Sequence, residues 1–274
     1  MTLYEALCFF LIYSFIGWVT EIVYHAVTLG KIINRGFLNG PICPVYGFGM
    51  SAVLFVFKLI GSTNTIVIFL EGLILTSTIE LIAGYILYTF FHARWWDYSK
   101  MPLNFKGYIC PAFSIIWGLA VVGVVKIVHP AIKSITTNLI PKKILLPIII
   151  VFLIVLILDT VVTALSLIGL NKKLKELDLI SESLRDTSDR LTQKIGKRSI
   201  ETARAAQTAR VQAALAKAEI RDDITELEHK AERIKTSIIS GKYFGTGRLL
   251  RAYPDAYHKD YKEIFKELQQ RIKN

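Results

Sequence analysis

The sequence predicts an all-α integral membrane protein of five transmembrane helices with an internal two-helix duplication, followed by a cytoplasmic helical or coiled-coil tail. Three observations carry that prediction. Apolar residues make up 53% of 274 positions and mean hydropathy is +0.44, with the excess concentrated in the first 170 residues. Five apolar stretches reach the length of roughly 20 residues that a bilayer span requires. From Asn171 onward the chain turns polar and its apolar residues fall at helical intervals.

In order, the spans are Leu3 to Val27, Ile42 to Ile60, Thr65 to Phe91, Ile109 to Val128 and Ile144 to Leu170. No cationic segment precedes the first, so it is expected to persist as a helix rather than be removed as a leader. Cys8, Cys43 and Cys110 lie in or beside apolar stretches, and their odd number argues against a disulfide framework. Cations divide unevenly between the connections. Lys31, Arg35, Arg94, Lys100, Lys106, Lys172, Lys173 and Lys175 follow odd-numbered spans, against Lys58, Lys126, Lys133, Lys142 and Lys143 on the other side. The excess places the N-terminus outside and the tail in the cytoplasm of a multi-pass cell-membrane protein.

The net charge of +11 resides mostly in the tail, which has 23 Lys and Arg against 16 Asp and Glu after Leu170. Such a segment is drawn to anionic headgroups, and membrane lipid is the expected partner. Nucleic acid is not, because the tail lacks the aromatic and glycine pattern of a binding module. Leu177, Leu184 and Leu191 repeat every seven residues, a coiled-coil interval. After a break expected at Gly196, a second seam runs through Ile220, Ile224, Leu227, Ala231, Ile234 and Ile238, with Ala203, Ala205, Ala206, Ala209, Ala213 and Ala214 between. The expectation for 171–240 is a helical hairpin or an oligomerisation stalk, the bland alternative being a solvated spacer. A turn at Gly241, Gly245 and Gly247 and an amphipathic helix from about Tyr257 complete 241–274.

Displacing the sequence by 67 positions aligns Gly17 with Gly84, His25 with His92, Gly40 with Gly107, and Ile42-Cys43-Pro44 with Ile109-Cys110-Pro111. The copies, about 1–60 and 65–130, each hold two spans and so share one orientation, related by an axis along the membrane normal. Tyr13, Gly17, Glu21 and His25 lie on one face of the first span, and Glu80, Gly84, Tyr88 and His92 on one face of the third. The duplication exchanges carboxyl and phenol between these stripes. It therefore predicts that Glu80 meets Tyr13 and Glu21 meets Tyr88 across the axis, each pair relieving the cost of an intramembrane charge; the alternative is neutral packing residues. Glu71 is expected at the interface near the external end, and Asp159 bonded to a neighbouring helix. Cys43, Cys110, His25 and His92 contain metal-ligating residue types, but their spacing matches no established metal site and the Cys-Pro pairs read more simply as helix starts.

The stretches Gly17-Trp18 with Glu21, Arg35 to Gly47, Glu80 with Gly84, Trp95 to Ser99, Asn104, Gly107 to Cys110 and Arg248 to Pro254 together resemble the Putative ABC-transporter type IV, or CmpB-like, membrane proteins, to which the eukaryotic transmembrane protein 229 group is also related. The resemblance implies a transport-related membrane protein and no particular substrate. The chain has no phosphate-binding loop, so any nucleotide hydrolysis would need a separate subunit. Catalytic and cofactor motifs are likewise missing, and the expectation is a non-enzyme without cofactor. A lipid-headgroup reaction using Glu21, Asp97 and His92 ranks behind two other readings. The first is a transport component, or permease, with Glu21, Glu80, Tyr13, Tyr88, Arg35, Arg94, Asp97 and Asn104 as binding candidates. The second is a non-transporting scaffold acting through its tail. Either is expected to form a homo-oligomer or join a partner subunit.

Overall fold

The computed structural model describes residues 2–30, 32–136, 141–201, 207–241 and 243–273. Helix α1, Leu3–Leu29, opens with a capping box between Thr2 and Glu5 and ends at Gly30, whose φ of 66° suits a residue without Cβ. Helix α2, Pro44–Ile60, begins with proline immediately after Cys43, where the missing N–H costs no hydrogen bond. Helix α3, Thr65–Phe91, is capped by the Asn64 side chain. Strand β1 is the pair Ala93–Arg94, and helix α4, Pro111–Gly123, again starts on a proline after cysteine. A π turn, Val124–Val128, joins α4 to α5, His129–Ser134. Pro130 supplies the reason: inside a regular helix its ring would collide with the preceding turn.

Helix α6, Lys142–Glu201, is followed by α7, Gln207–Ile239, α8, Gly245–Ala252, strand β2, Tyr257–His258, and α9, Lys262–Lys273. The break expected at Gly196 does not occur, since α6 continues through it to Glu201; one glycine in a long polar helix is a small penalty. Ala203, Ala205 and Ala206, and the side chains of Leu191, Ala209 and Ala213, lie outside the described residues. The terminal helix starts at Lys262 rather than near Tyr257 because Tyr257 and His258 are extended, pairing antiparallel with Arg94 and Ala93. The glycine-rich stretch is more than a turn, as it also forms α8.

Among the described residues, four helical segments are long and apolar enough to cross a membrane: Leu3–Thr28, Thr65–Phe91, Pro111–Ser134 and Lys142–Arg190. Helix α2, with 17 residues, is shorter.

The described chain forms two compact units. The first comprises 1–168 and 241–260. Its core is assembled from Phe9 and Tyr13 of α1, Met50, Val53 and Leu54 of α2, Ile68 of α3, Val121 of α4 and Val125 of the π turn. Cys8 and Leu11 pack separately on Leu145 and Ile149 of α6. Outward-facing Phe55, Leu70, Ile82, Phe90, Ile116 and Leu158 are all about half exposed or more, the apolar surface a bilayer would cover.

The second unit, 169–240 with 261–274, buries Leu170, Leu174, Leu177, Ile180, Ile238, Phe265 and Leu268. Lys230 pairs with Glu176 at 2.9 Å and Lys235 with Glu267 at 2.7 Å. The first pair joins α7 to α6 and the second joins α7 to α9.

Candidate functional site

Each intramembrane glutamate of the predicted stripes is bonded to a tyrosine, but to neither of those the duplication selected. The Tyr46 hydroxyl, one turn into α2, donates to Glu21 Oε1 at 2.6 Å. The Tyr98 hydroxyl, in the loop after β1, donates to Glu80 Oε1 at 3.0 Å. Tyr13 instead meets Nδ1 of His129 at 3.0 Å. Tyr88 packs edge-on to Tyr108 and under the guanidinium of Arg94. The cross-axis pairs Glu80 with Tyr13 and Glu21 with Tyr88 are therefore absent, for a steric reason. A Cβ at Gly17 would lie 2.2 Å from Cγ of Tyr46, and one at Gly84 would lie 2.8 Å from Cδ1 of Tyr108. The stripe glycines admit aromatic rings of their own helix pair, and those rings fill the space that α1 and α3 would need to meet directly.

The two carboxyls nonetheless share one environment. Tyr46 stands edge-on to Trp117 of α4 at 5.5 Å, and Tyr98 stacks on Phe113 of α4 at 4.8 Å. Burial and the neighbouring Glu80 push the Tyr98 phenol well above its ordinary pKa, with Glu21 adding in the same direction. Tyr98 thus remains a neutral donor. Oε2 of Glu80 is buried and meets no donor in good hydrogen-bond geometry among the described residues, although the Trp117 indole lies beside the carboxyl, while Oε2 of Glu21 faces Nε of Arg35 at 3.5 Å.

Two loops close this end of the bundle. In the second, the Asp97 carboxylate accepts from the Ser99 amide and hydroxyl and faces Arg94, which donates to the Lys106 carbonyl at 2.8 Å. Asn104 donates to the Ser99 and Met101 carbonyls and accepts from the Gly107 amide. Arg94, Asp97 and Asn104 are thus brought together as loop braces, apart from the glutamates; of the two basic candidates, Arg35 reaches a glutamate and Arg94 reaches Asp97.

The first loop is braced from outside itself. Asp159 of α6 accepts from the amides of Asn39 and Gly40 and from the Asn39 side chain, which also reaches Thr163. Arg248 of α8 is 1% exposed and donates to the carbonyls of Asn34, Gly36 and Phe37 at 3.2, 2.7 and 3.0 Å. The Tyr253 hydroxyl donates to the Arg35 carbonyl at 2.8 Å, and its ring packs on Trp95, which also touches Phe37. Burial, reinforced by nearby Glu21, pushes the Cys43 thiol up to about 12. At Ala93 and Arg94 the segment after α8 adds strand β2, with Lys259 N bonded to the His92 carbonyl and Asp260 beside Nδ1 of His92 at 3.2 Å.

Sequence reasoning missed Tyr46, Tyr98, Tyr253 and Arg248. The signals available were the aromatic second residue after Cys43-Pro44 and the two motifs 95–99 and 248–254, which carried the resemblance without a physical reason. Glu71, near the start of α3, is buried at 8% exposure. Asp159 does bond to its surroundings, but to a loop rather than to a helix. Among the described residues no group of three or more His, Cys, Asp or Glu is placed to hold a metal ion.

Fold and site together define a helical membrane protein with two tyrosine-bonded carboxyls beneath braced loops. A family model described as Putative ABC-transporter type IV matches residues 8–164, more than half of the chain, and the chain belongs to that family. No curated protein and no solved structure matches it. The matched region holds both glutamates, both loops and Asp159, and stops short of Arg248.

Proposed function

We propose that this chain is the membrane-spanning component of a transport system in which Glu21 and Glu80 take up a proton or small cation. The observation that carries the reading is the buried, unbonded Oε2 of Glu80 in an environment it shares with a second carboxyl. An orphan acceptor at such depth is costly unless protonated or occupied. Arg35 sits at the loop end, where it can exchange Glu21 for another anion. Without a phosphate loop the chain draws energy from an ion gradient or a separate subunit, and it does no covalent chemistry itself.

The proposed architecture has five crossings, with α2 as the second. The contacts of Phe37 with Phe91 and Trp95 support an arrangement with the ends of α1 and α3 at one end of the bundle. Four residues separate α2 from α3, so a crossing α3 requires α2 to travel back first. A helix of this length spans about 25 Å, and a short deficit is met by local thinning of the bilayer. Matching starts of α2 and α4 after Cys43 and Cys110, and matching glycine contacts at Gly17 and Gly84, support the duplication. Cation bias favours an outside N-terminus and a cytoplasmic tail in the cell membrane. The half-buried seam from Ile220 to Ile234 leaves room for a homo-oligomer or partner subunit.

Purified protein in proteoliposomes tests the transport reading through pH-linked and cation flux. Glu80→Gln is expected to abolish flux and Glu21→Gln to reduce it severalfold; flux no greater than that of protein-free vesicles sinks the proposal. The alternative, a scaffold acting through its tail, is favoured by the tyrosine bond each carboxyl already has, and it predicts wild-type behaviour for both variants.

A further inference from the structure

We propose that the tip of the second loop is a built lipid contact, with Leu103 and Phe105 seated at the headgroup–acyl boundary and Lys100 and Lys106 on anionic headgroups. Leu103 is 88% exposed and Phe105 53% exposed, although neither belongs to a helix that could lie in the bilayer. Their outward position is enforced. Leu103 and Lys106 have φ of 55° and 49°, a left-handed conformation that β-carbon contacts disfavour in residues other than glycine. It is held by bonds inside the loop. Tyr98 N donates to the Gly107 carbonyl, Met101 N to Tyr98 and Phe105 N to Ile109, each at 2.8 or 2.9 Å. The Asn104 side chain fills the centre with its three bonds. A loop serving only as a connection would turn Leu103 inward, whereas this one spends its interior on Asn104 and holds the leucine out.

Connectivity and charge identify the occupant as lipid. The loop leaves α3 at Phe91 and enters α4 at Pro111, and both helices are long and apolar enough to cross a membrane. Its ends therefore lie at the bilayer edge. Asp97, the loop's acid, is occupied by Ser99 and Arg94, so the exposed tip presents Lys100 and Lys106 around apolar side chains. That pairing complements anionic phosphate above acyl chains, with Leu and Phe on the apolar side and lysines on the polar side as in segments that lie in the interface.

The full chain with Pro102→Cys, labelled with an environment-sensitive fluorophore, tests the assignment. The native cysteines are all buried, and mock labelling of the unsubstituted protein sets the background. In vesicles of phosphatidylcholine with phosphatidylserine, a nitroxide on the upper acyl chain should quench the probe strongly and aqueous iodide weakly. Removing phosphatidylserine, or adding Lys100→Gln with Lys106→Gln, should cut nitroxide quenching severalfold. Leu103→Ser with Phe105→Ser should shift the probe to iodide access without altering the elution profile in detergent. Strong iodide quenching with no nitroxide effect in either lipid overturns the proposal. Protection from both quenchers in native membranes, with iodide access in pure vesicles, also overturns it and points to a protein partner.

Discussion

Arg248 shows how one side chain can hold a loop that its own sequence leaves open. The three carbonyls it serves are inside the fold, and an unbonded buried acceptor costs roughly 1–3 kcal/mol. Arg248→Ala should therefore lower stability by about 3 kcal/mol or more, read as a fall in thermal midpoint in detergent. Arg248→Lys should recover only part of it, because an ammonium cannot span three carbonyls with a planar fork. The nearby Cys43 thiol gives an independent readout: with its pKa at about 12 it stays protonated and unreactive at neutral pH, and alkylation should appear only in the alanine variant. His258 adds a pH dependence. Burial lowers its pKa to about 4, below the value near 6.5 of an unfolded histidine. The released segment then binds the proton that the docked segment refuses, so docking is full above about pH 6.5 and weakens as pH falls toward 4. Amide exchange at 255–260 should accelerate across that window, and His258→Phe should remove the dependence.

At the scale of elements, Gly17 and Gly84 make room on α1 and α3 for the rings of Tyr46 and Tyr108. Gly17→Ala should displace the Tyr46 ring and with it the bond to Glu21, at a cost of about 1–3 kcal/mol from overpacking; Gly84→Ala should act on Tyr108 and leave Glu21 bonded. Thermal midpoints with the carboxyl stretching band of Glu21 separate the two. Helix starts were legible because their cause is local, a proline after Cys43 and after Cys110. The carboxyl partners were not. Sequence spacing defines a face but not what fills the gap opposite, and the rings admitted by Gly17 and Gly84 decided that. Arg248 was illegible for a different reason, since nothing in 34–37 announces carbonyls without donors, and the arginine that meets them lies more than 200 residues away.

For the whole molecule, crossing number and side can be settled together. Thr63 lies in the short link between α2 and α3, and Lys100 lies in the second loop, both exposed. In intact cells, Thr63→Cys should react with a membrane-impermeant thiol reagent and Lys100→Cys should not. Reaction at Lys100 alone inverts the topology, and reaction at neither position or at both removes the full crossing of α2.

The bracing of the first loop also sets a schedule for synthesis. Tyr253 bonds a carbonyl 218 residues earlier in the chain, and at 5–20 residues per second that partner emerges roughly 10–40 s after Arg35 does. Throughout this interval the membrane segments can insert while the first loop still relies on water for its carbonyls. A nascent chain stalled before residue 248 would therefore leave the ribosome inserted but unfinished, with a protease-sensitive 32–40 segment as its mark. Closure of this loop waits for residues 248–253 to emerge, which gives a cell a ready means of distinguishing copies that carry this segment from those that stopped before it.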